Sequence, residues 1–213
     1  MSTMTIKIAL TKGRVEQQVV PLLEASGIDC SGVRNKGRRL IFNEDPNFQI
    51  ILVKGPDVLT YLNNSSVHIG IVGSDILAEQ NNPQYAMLDM GVGKCRFVLA
   101  STRDFNPQQV RRKIIATKYP NITKRYFQSI GEDVEIIKIE GSVELAPLIG
   151  LADAIVDITE TGTTLKENDL HVYAELQPVS TKLVVNRLAV KQYRPEIKTV
   201  INKLQEAQKN LGV

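Results

Sequence analysis

Short apolar runs rich in Val, Ile and Leu alternate along this chain with longer amphipathic stretches, and that alternation constrains the fold more than any other feature. TIKIALT precedes VEQQVVPLLEASG, FQIILV precedes PDVLTYLNN, and VHIGIV precedes SDILAEQNN. A strand that returns to its sheet through a helix runs parallel to its predecessor, so the order predicts parallel α/β architecture. After FVLAS at 97–101 the rhythm restarts with KIIAT at 113–117, a helix ITKRYFQSIG, a strand VEIIKI, a helix VELAPLIGLA and a strand AIVDI. The restart marks a second α/β unit, with the polar segment TRDFNPQQVRRK at 102–113 as candidate interdomain or surface loop. The closing helix starts at Pro195, a favoured first-turn position, and places Ile197, Val200, Ile201, Leu204 and Leu211 on one face. Two lobes joined by crossing segments leave a cleft, and ligands of open α/β sheets bind beyond the carboxyl ends of strands.

The densest chemistry lies in DAIVDITETGTTL at 153–165. Ala154, Ile155, Val156 and Ile158 suit a buried strand, with Asp157 and Glu160 at and just beyond its carboxyl end, where carboxylates accept hydrogen bonds from a ribose diol. Thr161, Gly162, Thr163 and Thr164 then offer hydroxyls and N–H groups at the start of a helix, TLKEN, a place that favours an anion such as a sugar phosphate. The competing reading is an ordinary strand-to-helix turn with solvated acids. A nucleoside-triphosphate P-loop is disfavoured more firmly, because no G-x-x-x-x-G-K-[ST] occurs and no Lys follows Gly162 at the required place.

Other strand ends carry further candidates. Lys12, Gly13 and Arg14 follow the first strand and suit a polyphosphate, or form a tight turn with solvated charges. Arg38 and Arg39 in RNKGRRLIF are either a solvated rim or guanidinium forks for phosphate oxygens. In IGIVGSD, Gly70 and Gly73 permit close backbone approach to a ligand, while Asp75 reads first as a helix cap. Ser142 reads as another N-cap with Glu144 in the first turn, and Lys118 follows KIIAT as a solvated lysine or a cleft residue.

A formal charge of +3 with no polybasic run, no Trp and few aromatics argues for small anionic ligands and against nucleic acid. The apolar runs are too short for a membrane span. Cys30 and Cys95, in a chain with no apolar signal region at its start, read as reduced thiols of a cytoplasmic protein. His68 and His171 lack the company of zinc ligands and read as surface or structural residues; no metal ligands are assigned.

Taken together, these residues resemble the ATP phosphoribosyltransferase family. Its spaced signature is met by Glu144, Gly150, Ala152, Ile155, Asp157, Ile158, Thr161, Gly162, Thr164 and Leu165. LTKGR, RRLIF, GIVGSDIL, GKCRFVLA and IATKYPN extend the resemblance over nearly the whole chain. The chain departs from the usual pattern at Lys54-Gly55-Pro56-Asp57-Val58-Leu59, and at Ser74 where a lysine is frequent. The resemblance is to the short form, and it implies two α/β domains with a ligand cleft between them, like type II periplasmic binding proteins. Residues 1–95 plus 181–213 are then the ATP side with the N-terminal phosphate contacts, and residues 96–180 carry the phosphoribosyl pyrophosphate loop.

The implied reaction joins N1 of ATP to C1 of phosphoribosyl pyrophosphate, the first step of histidine biosynthesis, with Mg²⁺ as cofactor. By the same resemblance, Arg14, Arg38, Asp157 and Glu160 are catalytic. Asp157, Glu160, Thr161, Gly162, Thr163 and Thr164 bind phosphoribosyl pyrophosphate, and Lys12, Gly13, Arg14, Arg38, Arg39 and Asp75 bind ATP and pyrophosphate. A regulatory subunit resembling histidyl-tRNA synthetase, in a hetero-octamer, is the implied partner. Two rival classes remain at this level: a non-catalytic two-lobed protein that captures a small anion, disfavoured by the missing export signal, and a scaffold that activates another subunit.

Overall fold

The structure, a computed structural model, describes residues 5–80 and 85–213. The chain divides into two compact units, one running up to Gly93 and resuming at Ser180–Val213, the other formed by Lys94–Val179.

The first unit opens with β1 (Ile6–Thr11), α1 (Arg14–Ala25), the short α2 (Ser31–Arg34), β2 (Ile41–Phe42), β3 (Phe48–Val53), α3 (Gly55–Asn63), β4 (Ile69–Gly73), α4 (Ser74–Gln80) and β5 (Tyr85–Asp89). Asn81 and Asn82, the end of the expected helix SDILAEQNN, lie outside the described residues. The second unit contains β6 (Cys95–Ser101), β7 (Lys113–Thr117), α5 (Pro120–Ser129), β8 (Val134–Lys138), α6 (Leu145–Leu148), β9 (Ala154–Thr159), α7 (Thr163–Glu167) and β10 (His171–Val179). The chain then returns to the first unit as β11 (Thr181–Val185), α8 (Arg187–Gln192) and α9 (Arg194–Leu211).

In the first unit a six-stranded sheet runs β2-β3-β1-β4-β11-β5. β1 is parallel to both β3 and β4, so the path from β3 to β4 crosses over β1 and the strand order reverses there. Both faces of β1 are covered: Ile8 and Leu10 join a core with α1 and α9, while Ala9 packs with Val58, Leu59 and Leu62 of α3. Such double burial explains why the run reads as nearly continuous apolar sequence. β2, β11 and, through β11, β5 add antiparallel pairings, so the sheet is mixed rather than purely parallel. α9 buries Ile197, Val200, Ile201 and Leu204 as its periodicity predicts. Leu211 is exposed instead, because it sits in the last turn, one residue before the left-handed Gly212 that ends the helix.

The second unit's sheet runs β10-β6-β9-β7-β8, with β7 parallel to β8 and β9, and β6 antiparallel to β9 and β10. Phe97 meets Tyr119 edge to face at 4.9 Å on one side of the sheet, and Ile155 packs with Leu165 and Leu170 on the other. The polar segment after β6 lies within this unit and is tied down by Asp153, whose Oδ2 accepts the Ile114 N–H (2.8 Å) while its carboxylate pairs with Arg111. The expected helix VELAPLIGLA shrinks to the single turn of α6, closed by Gly150 at φ +72°. Ser142 is therefore not its N-cap; Glu144 occupies that position with no side-chain cap. Among the described residues no helix is long and apolar enough to cross a membrane.

Candidate active site

Parallel pairing sets the carboxyl ends of β3, β1 and β4 side by side, and the candidate residues of the first unit collect along that edge. After β1, Thr11 Oγ1 donates to Ile71 O (2.9 Å) and Lys12 N to Val53 O (2.9 Å), which fixes the turn against both neighbours. Gly13 then adopts φ +95°, ψ −133°, a conformation that only glycine takes readily, and Arg14 begins α1. The Gly13 N–H donates to Glu16 Oε2 at 3.1 Å, and Glu16 Oε1 accepts from Lys36 Nζ at 2.5 Å. Lys12, Gly13 and Arg14 are exposed; Glu16 is buried.

β2 runs antiparallel to β3, with Leu52 N donating to Leu40 O (2.8 Å), so Arg38 and Arg39 reach the same edge by preceding β2. Their roles separate there. Arg39 pairs with Glu44 at 3.0 Å and lies over the Phe42 ring, 5.0 Å from its centroid, whereas no hydrogen bond or ion pair engages the Arg38 side chain among the described residues. Arg38 is exposed and available to an anion.

At the end of β4, Asp75 is buried inside the first turn of α4 rather than capping it. Its carboxylate occupies the space over Gly73, where a Cβ would come within 2.1 Å of Asp75 Oδ1. Gly73 therefore serves Asp75. Gly70 serves packing: a Cβ there would stand 2.6 Å from Leu62 Cδ1 and 2.7 Å from Val58 Cγ1, so it lets α3 press on β4 and is not an edge residue for a ligand. Ser74 ties this edge to the returning chain, its N–H donating to Ser180 O (2.8 Å) and its Oγ accepting from Ser180 N (3.1 Å).

In the second unit β9 delivers Asp157 half-buried, on the strand face it shares with Ile155 and thus on the side covered by α7. Asp157 Oδ1 accepts the Ile158 N–H at 2.8 Å. Glu160 follows the strand, exposed. The loop beyond it is organised by its own hydroxyls: Gly162 N donates to Thr159 Oγ1 (2.9 Å), Thr163 N to Thr161 Oγ1 (3.3 Å), and the hydroxyls of Thr161 and Thr163 share a hydrogen bond of 2.8 Å. Gly162 is left-handed (φ +77°) at the N-cap of α7. Thr159 is a contributor that sequence reasoning passed over, since it looks like the last residue of an apolar strand. α7 is only five residues long, so hydroxyls and N–H groups, more than a macrodipole, are what this loop offers an anion.

Lys118 is partly buried after β7, and it reinforces the Lys138 hydrogen bond that holds the Glu140 carboxyl below its usual range. His68 Nδ1 accepts the Lys7 N–H (2.9 Å) and its ring meets Tyr193 at 4.7 Å; burial, then the Lys7 charge, pulls its pKa below the ordinary value. His171 Nε2 accepts from Arg103 Nε (3.0 Å). Burial pushes the Cys30 thiol up to about 12, and neither Cys30 nor Cys95 is joined in a disulfide. Among the described residues no group of three or more His, Cys, Asp or Glu comes together to hold a metal ion.

The family model described as ATP phosphoribosyltransferase matches residues 54–206. The chain is 70% identical over 203 residues to an ATP phosphoribosyltransferase of Lacticaseibacillus casei (strain BL23), covering 95% of this chain and 96% of that one. It is 54% identical over 203 residues to an ATP phosphoribosyltransferase of Listeria monocytogenes serotype 4a (strain HCC23), covering 95% of each. Among solved structures, the ATP phosphoribosyl transferase (HisG:HisZ) complex from Thermotoga maritima superposes with a TM-score of 0.84 at 36% identity, over 97% of this chain and 100% of that one. The periplasmic aliphatic sulphonate binding protein SsuA from Escherichia coli reaches a TM-score of 0.60 at 14% identity, over 96% of this chain and 72% of that one, a likeness of fold alone.

Proposed function

The chain belongs to the ATP phosphoribosyltransferase family, and from that premise we propose that it transfers the phosphoribosyl group of phosphoribosyl pyrophosphate to N1 of ATP, the first step of histidine biosynthesis. The observation that carries the reading is the 70% identity over 95% of the chain to a relative of that name. The hydroxyl-built loop at the end of β9 supports its placement in this chain.

In this reaction the adenine N1 lone pair forms a bond to C1 of the ribose as the bond from C1 to the pyrophosphate oxygen breaks. The bond's electron pair leaves with pyrophosphate. Adenine N1 carries no proton to remove, so neither a protein nucleophile nor a general base is required. The chain's task is to orient two polyanions and to stabilise charge that separates in the transition state.

The assignments follow the chemistry of each edge. The Thr161, Gly162, Thr163 and Thr164 loop takes the 5′-phosphate on hydroxyls and N–H groups. Asp157 and Glu160 take the ribose hydroxyls, and their negative charge favours the developing oxocarbenium character at C1. Lys12, Gly13, Arg14 and Arg38 take pyrophosphate and the ATP phosphates; Arg39, already paired with Glu44, contributes charge at the same edge. Asp75 is a second acceptor there. On this reading residues 1–95 with 181–213 form the ATP side and residues 96–180 the donor side.

Mg²⁺ is the proposed cofactor, an ion that would be carried mainly by substrate oxygens and water, with no ligand of this chain assigned to it. Such an ion supplies neutralisation of diphosphate charge. A regulatory subunit resembling histidyl-tRNA synthetase, joined in a hetero-octamer, is the proposed partner. The related Thermotoga maritima structure is of a two-protein complex.

Mixing the chain with ATP, phosphoribosyl pyrophosphate and Mg²⁺, with and without that partner, and following the absorbance of N1-(5-phosphoribosyl)-ATP tests the proposal. Product is expected at least with the partner present; its absence in both mixtures rejects the assignment.

A further inference from the structure

Glu16 is a buried carboxylate for which the proposed reaction has no use, and it lies directly behind the loop that presents Lys12, Gly13 and Arg14. Only 4% of the residue is exposed. One oxygen accepts the Gly13 N–H at 3.1 Å and the other the Lys36 ammonium at 2.5 Å, so both oxygens are engaged inside the protein. Lys36 in turn belongs to the segment that carries the second group of cations: Arg39 N donates to Lys36 O at 2.9 Å, closing a turn through Gly37 (φ +54°) and Arg38. A single carboxylate thus joins two stretches of chain about twenty residues apart in sequence, each carrying an arginine assigned to phosphate, Arg14 in one and Arg38 in the other.

We infer that Glu16 is the positioning residue of the polyphosphate site, fixing the Lys12-Gly13-Arg14 loop and the 36–39 turn to each other through Gly13 and Lys36. The inference rests on the reading of this edge as the site of ATP and pyrophosphate. Its electrostatics give it a sign. With Lys36 in place, the carboxylate is neutralised and the loop in front remains attractive to a polyanion. Without Lys36, an uncompensated buried charge stands behind the phosphate loop and opposes the substrate. A glutamine at position 16 still accepts from Gly13 N–H but carries no charge, so it should undo the damage of losing Lys36.

The test compares wild type, Lys36→Met and the double variant Glu16→Gln/Lys36→Met, each assembled with the regulatory partner, by steady-state kinetics in both substrates. Lys36→Met is expected to raise KM for ATP and for phosphoribosyl pyrophosphate about tenfold, since both place phosphates on this edge, and the double variant to bring both back within about threefold of wild type. A purely structural ion pair would lower the melting temperature, with no recovery of either KM in the double variant. Either that pattern or an unchanged KM for ATP overturns the inference. Should Lys36→Met not fold, Lys36→Gln still donates to the carboxylate while leaving its charge uncompensated, and the same direction is expected. Arg14→Ala separates the two levels. If it leaves turnover and KM for ATP as in wild type, the polyphosphate reading falls and takes this inference with it; if it impairs them while the Lys36 variants do not, only the role of Glu16 falls.

Discussion

The carboxyl edges of the two sheets solve different chemical problems with different materials. In the first unit the edge is cationic, with Lys12, Arg14 and Arg38 exposed, and its loop is held from behind by the buried Glu16. In the second unit the edge around β9 is built from hydroxyls and carboxylates, and its loop is held by Thr159 and Thr161 accepting N–H groups from within the loop itself. Cations suit the several charges of a polyphosphate. Neutral donors beside two acids suit a single phosphate attached to a sugar that gains positive charge during reaction. The contrast also concerns rigidity, because the first loop is held by Glu16 of the helix that follows it, itself paired with Lys36 of a distant segment, while the second depends on its own side chains.

The largest expected effect breaks or keeps that division of labour. Arg14→Ala, and separately Arg38→Ala, should lower kcat/KM about a hundredfold while leaving the melting temperature close to wild type, since exposed arginines contribute little to folding. Kinetics beside a melting curve checks both variants. A loss of stability that matches the loss of rate would return these residues to the solvated rim.

Gly162 offers the next test, on the other edge. A Cβ there meets nothing within 4 Å, so space does not restrict it; its φ of +77° does. Gly162→Val places a β-branched residue where such residues are outliers, at a cost of about 1–2 kcal/mol unless the loop moves. Donor affinity measured by calorimetry should fall at least about tenfold. Gly162→Asn tolerates the left-handed region and should retain most of the affinity. Equal affinity for all three proteins would show that this loop's shape does not matter to the donor.

The sequence made these edges visible to different depths, for a physical reason. Strand cores such as KIIAT were legible because burial on both faces writes an unbroken apolar run, and β7 spans those same residues, Lys113–Thr117. β5, β10 and β11 escaped notice. β10 is an edge strand whose burial mixes exposed and half-buried positions, so period-two patterning is weak, and Pro178 further obscures it. The helix expected over VELAPLIGLA failed because Gly150 takes a left-handed conformation that stops α6 after one turn. Glu16 was missed because an acid in the first turn of a helix usually signals exposure. Its signal was the spacing of three from Gly13, the position from which a glutamate reaches back to the residue before a helix.

Gly70 lies near the start of β4 rather than at its ligand edge, and it supplies the third test. The sequence suggests room for a ligand there, yet the missing side chain makes room for Leu62 and Val58. Gly70→Ala should therefore cost about 1–3 kcal/mol of stability through overpacking, with turnover per folded molecule unchanged. Denaturant titration alongside active-site-normalised kinetics separates this outcome from the one expected at Gly162. Lost turnover with full stability would restore Gly70 to the ligand edge.

The smallest expected effect concerns His68, far in character from either edge. Its Nδ1 accepts the Lys7 N–H and its pKa is lowered, chiefly by burial and then by Lys7. A lowered value means that the unfolded chain binds the proton more readily than the folded one. His68 therefore contributes stability that is present above its unfolded pKa of about 6.5 and is lost as pH falls through the lower folded value. His68→Asn keeps an acceptor for the Lys7 N–H while abolishing the titration. The fall in melting temperature between pH 7.5 and pH 5 should be smaller in this variant than in wild type, by about a few degrees at most. An identical fall in both proteins would assign the acid sensitivity to other groups and leave His68 as packing alone.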